Sequence, residues 1–113
     1  MQKDDLIYLA HMLDMARKAG TKTANKLRSD FEADEDLQLI LTHLIQTIGE
    51  AARHVSVPFQ QSHPEIPWRQ IVGMRHKVVH DYMHVDYDIV WDVAIVELPK
   101  LISALEKIVS PGK

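Results

Sequence analysis

The chain has 113 residues, 46% of them apolar, with 4 glycines, 5 prolines and no cysteine. That is ordinary for one domain with a real core, too short for two full-sized ones, and wrong for a linker or a low-complexity tail. The absence of cysteine excludes a disulfide framework and thiolate chemistry, and the net charge of −3 (13 basic against 16 acidic residues) excludes a protein that holds nucleic acid by bulk electrostatics alone.

The first stretch, MQKDDLIYLAHMLDMARKAG, is charged throughout and lacks the roughly 7–15-residue apolar run of a signal peptide. Nowhere do about 18 apolar residues follow one another, so a cytoplasmic protein with no membrane association is expected. Leu6, Ile7, Ala10, Leu13 and Ala16 recur at helical spacing. They predict a helix over residues 3–19, ended by Gly20. Thr21 to Phe31 reads as a short helix or turn. Asp34 is placed to cap a helix that runs to about Val55, with Glu35 and Asp36 favourable to its dipole. The apolar positions of that helix, from Leu37 to Val55, form a stripe broad enough for burial on two sides.

The segment SVPFQQSHPEIPW carries Pro58, Pro64 and Pro67, which predicts a loop, with Pro67 well placed to begin a third helix. That helix carries Trp68, Ile71, Val72, Met74, Val78 and Val79 inward and is expected to reach RHKVVHDY at 75–82. A last helix is predicted from Asp86 or Asp88 to about Val109, bent at Pro99. With no useful alternating pattern, the fold class is all-α: an up-down bundle of four main helices with a short extra helix, in one domain over residues 1–113. Tyr87, Trp91 and Met83 are read as cover for a second apolar surface, and hence a homodimer.

Between Ile66 and His80 no acidic residue intervenes, while Arg69, Arg75, His76 and Lys77 fall there. On a continuous helix each residue turns about 100°. Arg75 and Tyr82 then share a face, His76 and His80 share another, and Arg75 and His80 stand about 140° apart around the axis. Arg75 and His80 converge on one ligand only if the helix end distorts or a second subunit brings its own copy across a cleft. The residues alone leave three readings open. The first is a polar helix end whose cations complement the dipole. The second is a zinc site on the row His76, His80 and His84. The third is metal-free phosphodiester chemistry, in which histidine moves protons and arginine grips phosphate.

Arg75, four residues, His80, one residue, Tyr82 resembles the arginine–four–histidine–x–tyrosine signature of the HepT-like toxins of the HEPN superfamily. IGEAARHV at 48–55, HPEIPWRQIVGMRHKVVHDY at 63–82 and VDYDIVWDVAIVELP at 85–99 resemble that family's segments in order. The resemblance implies a HEPN helical domain that dimerises so that two motif helices line one cleft. It also implies metal-independent endoribonuclease activity on RNA, and a nucleotidyltransferase antitoxin as partner. It assigns Arg75 to phosphate binding, His80 to acid–base work and Tyr82 to acceptance of AMP from the antitoxin. His76 stands where the family often has asparagine and joins as a supporting residue. Glu50 of IGEA joins as an acceptor for Arg75 from a neighbouring helix. No cofactor and no metal are expected. The alternative within the same superfamily is a non-catalytic module that binds nucleotide or the nucleotidyltransferase.

Overall fold

The computed structural model describes residues 3–81 and 84–109. Helix α1 spans Lys3–Thr23, α2 Arg28–Glu32, α3 Glu35–Arg53, α4 Val57–Ser62 and α5 Trp68–Val78. Strands β1 (Val79–Asp81) and β2 (His84–Val85) follow. After them come α6 (Tyr87–Asp92), a π-helical turn over Val93–Glu97, and α7 (Leu98–Val109). The class is all-α as expected, with α1, α3, α5 and α7 the four longer helices among the described residues. The short antiparallel β1–β2 ladder is the addition.

Helix α3 is the centre. Asp34 caps it, its carboxylate accepting from the Leu37 N–H at 3.1 Å. Leu41, Ile45, Ile48 and Ala52 are fully buried, so the helix is covered on two sides, as its broad apolar stripe predicts. Helix α1 packs along one flank and α5 along another, while α7 lies against α1.

Some expectations need correction. Helix α1 passes through Gly20 and continues to Thr23. Its end comes at Asn25, which takes the left-handed conformation (φ 61°) that asparagine tolerates better than most residues. The buried face of α1 agrees with the apolar spacing at Leu13 and Ala16 but not at the helix start. Leu6, Ile7 and Ala10 are exposed, while Asp5 is 1% exposed. The Asp5 carboxylate accepts from the Ser56 N–H at 2.7 Å and from the Ser56 hydroxyl at 2.6 Å. A buried polar anchor therefore turns the helix by about one position, and Leu9, Met12, Leu13, Ala16 and Ala19 enter the core.

The proline-rich segment is partly helical. Ser56 caps α4, and Pro58 sits in its first turn, where a missing N–H leaves no hydrogen bond unmade. Phe59 is buried, and the Trp68 indole donates to the His63 carbonyl at 2.9 Å, fixing the rest of the segment. The bend expected at Pro99 takes the form of the π-helical turn. The Leu98 N–H reaches back to the Val93 carbonyl, five residues away. The wider turn lies immediately before the proline that cannot continue ordinary helix bonding.

Tyr87 and Trp91, expected on a second apolar surface, pack on Phe31 of α2 at ring-centroid separations of 6.1 and 5.1 Å, and both stay partly exposed. Arg28 and Asp88 pair across the same junction. Met83 lies outside the described residues. No described helix is long and apolar enough to cross a membrane.

Two measurements check this packing. Asp5→Ala leaves Ser56 without its charged acceptor and lowers stability by about 2–3 kcal/mol in urea unfolding. Ser56→Ala costs less, and the double variant less than the sum of the two. Asn25→Gly leaves stability unchanged or raises it, whereas Asn25→Ala lowers it by about 1 kcal/mol.

Candidate active site

Arg75 and His76 lie in the last turn of α5, and Lys77 and Val78 complete it. The helix stops there, earlier than expected. Val78 and Val79 are β-branched and fit extended backbone better than helix. The Asp86 N–H donates to the Val78 carbonyl at 2.7 Å, satisfying one of the acceptors a helix end leaves open. His80 therefore sits on β1 and not on the helix. In the ladder Val79 faces Val85 and Asp81 faces His84, with an irregularity between them. Tyr82 lies outside the described residues, so its place relative to the rest of the motif is not described.

This changes the geometry on which the sequence reading turned. A helix advances about 1.5 Å and turns about 100° per residue, whereas a strand advances about 3.3 Å. The 140° separation of Arg75 and His80 applied to an unbroken helix. The chain leaves helical geometry between them, so one of the two routes to convergence, a distorted helix end, is present in the backbone. The same break removes the helical row His76–His80–His84: the first histidine is on α5, the second on β1 and the third on β2. Among the described residues no three histidine or acidic side chains are grouped so as to hold a metal ion.

His76 is exposed. Glu50, on the helix that packs beside α5, binds Arg53 through both oxygens, at 2.7 Å to Nη2 and 3.4 Å to Nε. It also approaches His54 Nε2 at 3.3 Å. Its hydrogen bond and its charge hold the Arg53 guanidinium above its ordinary pKa. The expected contact to Arg75 falls on a side chain outside those described. Glu50 also helps line an open groove between α1 and α3, a feature no residue of the motif pointed to. The signal was available in the spacing of His43, Gln46, Thr47, Glu50 and His54. These fall on one helical stripe, the complement of the apolar one.

Residues 12–108 match the family described as Ribonuclease HepT-like. A Caldanaerobacter subterraneus protein named "Putative RNase" is 30% identical over 106 residues, covering 94% of this chain and 95% of that one. A Thermococcus cleftensis protein named "Probable ribonuclease HepT" is 35% identical over 79 residues, 70% of this chain and 72% of that one. A Methanocaldococcus jannaschii protein named "Gamma-glutamylcyclotransferase and putative RNase" is 32% identical over 108 residues. That match covers 96% of this chain but 49% of the longer protein. No solved structure matched. With a family match that spans most of its length, from α1 into α7, the chain belongs to the ribonuclease HepT-like family.

Proposed function

We propose that this protein is a metal-independent endoribonuclease, the toxin of a HEPN/nucleotidyltransferase toxin–antitoxin pair. The carrying observation is the family match together with Arg75 at the end of α5 and His80 on β1, with Tyr82 two residues on in the sequence. In this reading residues 1–113 act as one domain, the four longer helices form an up-down bundle, and the protein works in the cytoplasm.

The chemistry asks for few groups. The 2′-hydroxyl of RNA attacks the adjacent phosphorus, the P–O5′ bond breaks, and a 2′,3′-cyclic phosphate and a 5′-hydroxyl result. A base must take the 2′ proton and an acid must give one to the departing 5′ oxygen. Arg75 grips the phosphate in two-pronged fashion and stabilises the charge that grows on its oxygens. One His80 can be base or acid in a single turnover, but not both at once. A homodimer supplies two copies, one for each role; alternatively His76 shares the work with His80. Glu50 supports the cleft from α3.

Tyr82 is the acceptor of AMP. Its phenolic oxygen attacks the α-phosphorus of ATP in the partner nucleotidyltransferase, and pyrophosphate leaves. The new phosphodiester places negative charge and bulk beside Arg75 and His80, where RNA phosphate would bind, and this silences the toxin.

Purified protein is expected to cleave single-stranded RNA in EDTA, leaving cyclic-phosphate ends. Arg75→Ala and His80→Ala each lower the cleavage rate by about a hundredfold or more. Undiminished cleavage in both variants would remove the site assignment. Incubation with the cognate nucleotidyltransferase and ATP adds one AMP per modified chain by mass spectrometry and stops cleavage. Tyr82→Phe escapes both effects.

A further inference from the structure

The groove between α1 and α3 has a volume of about 610 Å³ and is open along one side. Tyr8 and His11 line it from α1, and His43, Gln46, Glu50 and His54 from α3 and its cap. At one end the rings of Tyr8 and His54 stack with centroids 5.3 Å apart and planes 22° from parallel. Tyr8 is half-buried, and the His54 side chain retains 45% of its exposure, so the pair is a fixed aromatic surface with room for another ring. Glu50 and Arg53 hold His54 from the other side, at 3.3 and 3.5 Å. Gln46, one turn before Glu50 on the same stripe, carries an amide that can both donate and accept.

The chemistry of this groove selects its ligand. A flat π surface beside an amide and a carboxylate suits a planar heterocycle with a polar edge. The charge argues against a site built for phosphate alone. Glu50 is matched by Arg53, and among the described lining residues there is no lysine or arginine. A groove built to grip phosphate would carry unmatched arginine or lysine. Among the described lining residues Ala51 is the one aliphatic side chain, which is little for a protein partner's aliphatic anchor. The volume exceeds a single base, and the open side lets a strand continue past it.

We infer that the α1–α3 groove is a nucleobase-binding subsite for single-stranded RNA. A base stacks on the Tyr8–His54 pair, its edge meets Gln46 and Glu50, and His11 and His43 border the strand's passage. The inference extends the ribonuclease reading, on which it rests for its substrate, by assigning RNA binding to residues outside the Arg75–His80–Tyr82 motif.

The test measures binding and cleavage separately. Binding is followed by fluorescence anisotropy with a labelled 2′-O-methyl RNA oligomer, which has no free 2′-hydroxyl to attack, and cleavage with ordinary RNA of the same sequence. His54→Ala and Tyr8→Leu are expected to weaken oligomer binding roughly tenfold, the loss of one base–aromatic stack. They raise KM by a similar factor and leave kcat within about threefold. Tyr8→Phe and His54→Phe, which keep a ring, retain wild-type affinity. Sedimentation of every variant is run alongside.

If wild-type protein cleaves RNA while the Ala and Leu variants bind and cleave as well as it does, the subsite is overturned and the ribonuclease reading stands. If wild-type protein binds but does not cleave, and the variants lose binding, the subsite stands and the ribonuclease reading falls. Failure of wild-type protein to bind overturns the subsite whatever its cleavage. If His54→Ala turns a dimer into a monomer, the groove is an interface between copies and the subsite is overturned. AMP as competitor separates the sources of a base: displacement of the oligomer only by RNA supports a strand subsite, and equal displacement by AMP at similar concentration overturns it in favour of a free-nucleotide site.

Discussion

Helix α3 must be buried on two sides at once, and the rest of the molecule is arranged to meet that demand. Its fully buried Leu41, Ile45 and Ile48 are each worth about 1.5–3 kcal/mol when removed from water. No single neighbour can cover a stripe that wide. Helix α1 takes one flank and α5 another, with α6 in further contact. What remains uncovered is a mostly polar stripe that also exposes Leu39, and part of it is one wall of the α1–α3 groove. The same helix thus packs against the motif helix and supplies one wall of the groove.

Much of this was readable in the residues. The breadth of the apolar stripe of α3, the Asp34 cap and a helix start at Asp86, one of the two positions the sequence offered, all follow from local rules that tertiary packing reinforces. Where reading failed, long-range contacts had overruled a local pattern. The face of α1 is an instance. Leu6 and Ile7 are the stronger apolar pair by composition, yet Asp5 lies in the interior because Ser56, 51 residues away, presents two donors to it. Sequence spacing cannot reveal a partner that distant, and a buried carboxylate is the rarer outcome on local grounds. Gly20 failed for the opposite reason. A glycine permits a helix end but does not require one, and a side chain at that position would meet nothing nearby.

The motif suggested its chemistry more than its geometry. The residue types of RHKVVHDY left a polar helix end, a zinc row and phosphodiester chemistry open, and the flanking segments pointed to the family that the match over residues 12–108 bears out. The spacing was harder, because a helix-period argument assumes a helix. Val78 and Val79 carried the contrary signal: two consecutive β-branched residues with no strong helix former after them. The hydrogen bond from Asp86 back to Val78 lies beyond the reach of local reading, since it joins the end of α5 to the residue that caps α6.

That bond also ties two functions together. Asp86 uses its side chain to cap α6, accepting from Ile89 at 3.2 Å, while its N–H closes the end of α5. One residue therefore joins the end of α5, a helix packed on α3, to the start of α6, a helix whose rings pack on Phe31. In the ribonuclease reading proposed above, His80 has to stand near its substrate to recover the entropy of encounter, and β1, which carries it, follows directly on that closed helix end. A continuous helix would fix His80 about 140° around the axis from Arg75. Ending the helix at Val78 removes that constraint.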